Sequence, residues 1–166
     1  MKACQMSNSL PSLIIPEFIL DKIYNQAIRE FPNECCGWLF GPTPNGPITG
    51  LRACTNTQAN NPDALVQNRS AETAFSIDGR DLIELNMAFD TKTLPLVIYH
   101  SHPNGKAYFS DTDRRVASSP WGDGPMYPVQ QLVIGIREKI VVEFALFGWS
   151  DKTNNFEEKF RHQVIS

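Results

Sequence analysis

From Pro16 to Phe31 the apolar residues Phe18, Ile19, Ile23, Tyr24, Ala27, Ile28 and Phe31 recur at spacings of three and four. That pattern predicts an amphipathic helix with Pro16 in its first turn and Pro32 beyond its end. The run ECCGWLFG predicts a compact strand from about Cys35 to Phe40. The turn-rich GPTPNGP then leads to a second strand near Ile48–Thr57, so the two form a hairpin. Residues 56–70 are polar and read as a surface loop, followed by a strand at Thr73–Ile77. Asp78 caps a helix reaching about Asp90, with Leu82, Ile83, Leu85, Met87 and Phe89 as its apolar residues. Leu96 to Tyr99 predict a short buried strand that carries His100 and His102 at its C-terminal end. Ser110 to Ser118 read as helical, and the Pro- and Gly-rich residues 118–128 as a loop. Val129–Ile136 and Ile140–Trp149 make the strongest hairpin in the chain. From Glu158 on, Phe160 and Val164 alternate with Lys159, Arg161 and Gln163, which predicts an edge strand. Mixed strands with few helices and no repeat indicate an α/β (α+β layered) fold, a mixed β-sheet flanked by helices. Residues 1–14 carry no structural signal and read as a disordered or extended terminus, and residues 15–166 as a single domain.

At 166 residues, 42% hydrophobic and 20% charged, such a domain has enough core to fold without a disulfide or a metal, so a metal here would serve chemistry. A net charge of −3 with scattered basic residues excludes a dedicated nucleic-acid binder, whose phosphate contacts need clustered Lys and Arg. No apolar run approaches the roughly 18 residues of a membrane span, and Pro16 and Glu17 break the short apolar stretch near the start. A cytoplasmic protein with no membrane or nucleic-acid partner is the expectation. Cys35 and Cys36 are adjacent and no C-x-x-C occurs, so Cys35, Cys36 and Cys54 read as reduced, buried small apolar residues.

The chemistry concentrates in LVIYHSHPNGKAYFSDTD, Leu96 to Asp113. Residues two apart on a strand face the same way, so the imidazoles of His100 and His102 can converge on one ion. Asp113 supplies a third ligand in the pattern H-x-H-x10-D. Ser110-x-x-Asp113 also reads as a capping box; the two readings combine if Ser110 starts the helix while Asp113 turns its carboxylate to the metal instead of to the cap. Two His, one Asp and an open fourth position match catalytic rather than structural zinc. Hydrolysis at such a centre also needs a carboxylate outside the coordination shell to move protons, and Glu34, beside an apolar strand that could raise its pKa, is the candidate. Asp111 is a competing ligand. Trp38 reads as core, Phe109 and Trp121 as core or groove, Ser101 as structural and His162 as an ordinary surface histidine.

Taken together, Glu34-Cys35-Cys36-Gly37, His100-Ser101-His102-Pro103 and Ser110-x-x-Asp113 resemble the JAMM (MPN+) zinc metalloprotease pattern, most closely its short prokaryotic JAB-domain members. The resemblance spans about residues 15–150. It implies an MPN-type, cytidine-deaminase-like architecture and one catalytic Zn2+ per chain held by His100, His102 and Asp113. It further implies a zinc-activated water as nucleophile, Glu34 as general acid/base and Ser110 stabilising the oxyanion. The substrate class it implies is the bond after the C-terminal Gly-Gly of a ubiquitin-like or sulfur-carrier protein, either in carrier maturation or in deconjugation. The alternative is a non-catalytic MPN-type binding or scaffold module, against which the complete residue set speaks.

Overall fold

A computed structural model describes residues 13–59 and 69–164; the expectation for residues 1–14 therefore falls almost wholly outside the described residues. In chain order the elements are α1 (Glu17–Glu30), β1 (Cys36–Gly41), β2 (Gly50–Cys54), α2 (Gly79–Ala88), β3 (Leu94–His102), α3 (Asp111–Ala117), β4 (Gln130–Arg137), β5 (Ile140–Ser150) and β6 (Asn155–Gln163). The strands form one six-stranded mixed sheet in the order β2-β1-β3-β4-β5-β6. This is the α+β layered architecture expected from the sequence.

Among the described residues only β3 and β4 pair in parallel, with Tyr99 opposite Leu132 and His102 opposite Gly135. A parallel pair cannot be closed by a tight turn. The chain must leave the C-terminal end of β3, cross over and return, and the crossover from residue 103 to 129 carries α3. The β4–β5 connection is the opposite case. Glu138 and Lys139 both take positive φ, 51° and 62°, as a two-residue hairpin turn that follows the strand twist requires.

Alternation along β3 divides the core. Val97 and Tyr99 pack under α1 with Ile19, Ile23, Leu132 and Ile134. Ile98 packs on the other face with Leu85 of α2, Cys36, Trp38 and Cys54. A third cluster, Ala107, Phe109, Val133, Ala145, Phe147 and Phe156, lies next to α3. Every residue of β3 after Leu94 is buried, so the histidines belong to a central strand covered on both faces.

The strand expected at Thr73–Ile77 is not formed; the segment makes one isolated bridge, Ile77 to Asn56. The reason is a side chain that takes the place of a neighbouring strand. Asn56 Oδ1 accepts from Ser76 N (3.0 Å), while its Nδ2 donates to Ala74 O (3.2 Å) and to Glu34 O (2.9 Å). Among the described residues no helix is long and apolar enough to cross a membrane.

Candidate metal centre

His100 and His102 end β3, and their side chains meet a carboxylate from each direction along the chain. Their Nε2 atoms stand 3.1 Å apart. Asp113 Oδ2, one turn into α3, lies 3.4 Å from His100 Nε2 and 3.3 Å from His102 Nε2. The three atoms form a nearly equilateral triangle. In a tetrahedral set with bonds of about 2.0–2.1 Å, ligand atoms stand about 3.3 Å from one another. The triangle thus has the dimensions of one face of a zinc-sized site. Glu34 Oε1 stands farther off, 3.9 Å from His102 Nε2. Glu34, His100 and His102 also group within 4.8 Å as a buried set that could bind a metal ion. Between the two carboxylates, Asp113 matches the ligand spacing and Glu34 stands beside it.

The supports of each side chain follow from local sequence. Gly105 has φ of +80°, a conformation that favours glycine, and its N–H donates to Ile136 O (2.9 Å). Opposite it, a side chain at Gly135 would reach to 2.6 Å from Gly105 O, so β4 must be bare there for the loop to lie against it. The turn returns Lys106 O to His102 Nδ1 at 3.1 Å. A carbonyl can only accept, so Nδ1 carries the proton and Nε2 presents its lone pair to the triangle. His100 is fully buried, with Phe75 stacked at a ring separation of 4.6 Å; Tyr108 packs on His102 at 4.8 Å.

Asp113 corrects one expectation. Its carboxylate serves the cap and the histidines together, not one in place of the other: Ser110 N donates to Oδ2 (2.9 Å), and Asp113 N donates to Ser110 Oγ (3.1 Å). The capping box therefore fixes the oxygen that completes the triangle.

Burial acts to raise the Asp113 carboxyl, but the charge and hydrogen bonds of His100 and His102 outweigh it and hold it well below the usual carboxylate range. For His100 burial opposes the charge and Asp113 overcomes it, so its pKa rises. His102 shifts down through burial, with the neighbouring His100 charge adding to it. This donor set favours one added positive charge at its centre, whether a proton or a metal ion. Glu34 differs: burial pushes its carboxyl up to about 7, only partly offset by His100 and Arg69. Its Oε2 and His100 Nδ1 are buried with no hydrogen-bond partner among the described residues.

A cleft of about 150 Å³ opens beside these groups, and Glu34, Arg69, Glu72, Thr73, His102 and Ser110 are among the residues that line it. Of the remaining candidates, Asp111 is exposed, Trp38 and Phe109 are buried in the core and Trp121 is 86% exposed. Ser101 Oγ accepts from Cys35 N (2.8 Å), a structural bond next to the glutamate. His162 is exposed beside Phe144 and Phe160. Sequence reasoning missed Asn56 and Arg69. Asn56 lay where the expected second strand runs into the polar loop, and its side chain's backbone partners, among them Glu34 O, Ala74 O and Ser76 N, carry no side-chain signal.

Fold and site together define a mixed-sheet protein whose buried His, His and carboxylate cluster at the end of its parallel strand pair can bind a metal ion. The chain belongs to the Prok-JAB family, the prokaryotic homologs of the JAB domain, whose model matches residues 16–143. The CysO-cysteine peptidases of Mycobacterium bovis and Mycobacterium tuberculosis are 29% identical over 109 residues, 65% of this chain and 67% of theirs. Solution structures of proteins from Desulfitobacterium hafniense and Salinibacter ruber share the fold, with TM-scores of 0.59 and 0.55. They are 21% and 20% identical, and each match covers 86% or 87% of both chains.

Proposed function

We propose that the chain is a zinc-dependent peptidase, working as one catalytic domain over residues 15–166, that cleaves the bond after the C-terminal Gly-Gly of a sulfur-carrier or ubiquitin-like protein. The observation that carries this reading is the 3.1–3.4 Å triangle of His100, His102 and Asp113 with Glu34 beside it. Similarity to peptidases named for CysO-cysteine favours the carrier over other substrates.

A zinc ion held by His100, His102 and Asp113 would supply a Lewis acid that makes water nucleophilic at neutral pH and polarises the scissile carbonyl. The remaining work falls to the chain. Glu34, buried and with a pKa near 7, is poised to take a proton from the attacking water and to hand it to the leaving nitrogen. Water oxygen joins the carbonyl carbon, the C–N bond breaks, and the products are the Gly-Gly carboxylate and a free amine. Ser110 Oγ accepts the Asp113 N–H with a lone pair, which leaves its own hydrogen to donate to the oxyanion as the tetrahedral species forms. A Gly-Gly tail suits a cleft of about 150 Å³ because it brings no side chains.

Two measurements test this. Purified protein should contain one zinc per chain and cleave a carrier extended beyond Gly-Gly, both lost in His102→Ala. Zinc retained at full occupancy in His102→Ala would refute the ligand assignment. A zinc-loaded chain that binds the carrier without cleaving it would favour the non-catalytic binding module.

A further inference from the structure

Arg69 is a cation at the active cleft that the hydrolytic machinery does not use. It lines the cleft with Glu34, His102 and Ser110, and its charge acts on the Glu34 carboxyl. Among the described residues no carboxylate lies within 4.0 Å of its guanidinium, although Glu72 lines the same cleft. The one hydrogen bond its guanidinium makes to a described residue is long, from Nη1 to Thr73 O at 3.4 Å.

Its backbone is nevertheless fixed. Gln58 Nε2 donates to Arg69 O (3.2 Å), and Gln58 N donates to Asn56 Oδ1 (3.0 Å). Asn56 in turn holds Glu34 O and Ala74 O, while Glu34 N donates to Ala71 O at 2.7 Å. One hydrogen-bonded unit therefore holds the backbone of both Glu34 and Arg69, and the two side chains reach the same cleft.

We infer that Arg69 binds the free α-carboxylate of the leaving amino acid, making this chain an exopeptidase that releases a single terminal residue from the carrier. The inference rests on the peptidase reading above. Glu34 returns its proton to the leaving nitrogen, so the leaving group sits beside Glu34, and Arg69 lines the same cleft near enough for its charge to act on the Glu34 carboxyl. In a single terminal amino acid the carboxylate is one carbon from that nitrogen and carries a full charge, which a guanidinium fork recognises. A lysine ε-amine released from an isopeptide bond has no carboxylate near its nitrogen. Glu72, exposed in the same cleft, would disfavour an anion that Arg69 did not pair.

The test compares a carrier ending in Gly-Gly-Cys with its C-terminal amide, using CysO as the carrier. Wild type should cleave the free acid about tenfold more efficiently in kcat/KM, the scale of one charge-assisted hydrogen bond at a partly solvated site. Arg69→Gln should bring the ratio to near one by loss on the acid, Arg69→Lys should restore part of it, and zinc content should not change. Calorimetry on zinc-loaded Glu34→Gln should show the same preference in binding and its loss when Arg69→Gln is added. If wild type cleaves neither substrate yet binds the acid more tightly through Arg69, the peptidase reading fails and the carboxylate site stands. Equal binding of acid and amide, or an Arg69→Gln effect equal on both, overturns the inference; the second result would place Arg69 against the carrier's surface.

Discussion

Replacing Glu34 by Gln should stabilise the metal-stripped protein, by an amount that depends on pH in a defined way. Glu34 is 4% exposed and its carboxyl titrates at about 7, against 4.5 for an ordinary glutamate. That gap corresponds to about 3 kcal/mol, at 1.36 kcal/mol per pH unit. The folded chain keeps its proton where the unfolded chain has released it, so folding costs nothing extra below about pH 4.5. As pH rises from 4.5 to about 7 the unfolded state gains from ionising while the folded state does not, and wild-type stability falls relative to the variant. Above 7 both states are ionised and the difference stays flat. Urea unfolding in chelator should therefore find Glu34→Gln equal to wild type at pH 4, about 2 kcal/mol more stable at pH 6 and about 3 kcal/mol more stable at pH 8. Added zinc should shrink the gap, because a cation beside the carboxylate favours its charged form. A difference that does not change between pH 5 and pH 8 would mean that Glu34 is solvated and not poised as a proton carrier.

Ser110→Ala should separate two roles of one hydroxyl. Loss of the cap should lower stability by about 1 kcal/mol, and loss of the oxyanion donor should lower kcat about 100-fold with zinc still bound; an unchanged kcat in a correctly folded variant would refute the second role. Asn56→Ala should cost about 2–3 kcal/mol in urea unfolding, since Glu34 O, Ala74 O and Ser76 N lose their side-chain partner at once. A loss under 0.5 kcal/mol, at the level of ordinary surface substitutions, would show that water replaces the asparagine.

The sequence carried much of this because the relevant signals are local or periodic. Helical spacing gives α1, alternation gives β6, and Asp78 caps α2 by accepting from Arg80 N as its residue type predicts. The triangle was legible for the same reason: two histidines share a strand face, and Asp113 sits at the N3 position of a capping box. What was not legible depends on contacts without a sequence period. Thr73–Ile77 has the composition of a strand, but Ala74 O and Ser76 N go to the side chain of one asparagine about twenty residues earlier, while Thr73 N and Ala74 N turn back to Ser70 O. The roles of Lys106 O and of bare Gly135 belong to backbone approach, which side-chain identity does not encode.

The topology explains why these unread features gather at the site. A single parallel pair in an otherwise antiparallel sheet forces one long crossover, and that crossover starts at His102. The loop must turn at Gly105, press against Gly135 and enter α3 through Ser110, so each constraint on its path also fixes a donor atom of the triangle. Glu34 comes from outside this path and is held by Ser101 Oγ at Cys35 N and by Asn56 at its carbonyl. The glutamate thus shares the Ser101 bond with the histidine strand, but the Asn56 bond at its carbonyl is separate from those that hold the triangle. That separation is why Asn56→Ala should impair catalysis through Glu34 while leaving zinc affinity within about twofold, whereas Asp113→Ala should lose the metal and the α3 cap together. Metal titration of the two variants distinguishes them, and a parallel loss of zinc in Asn56→Ala would show that the two systems are one.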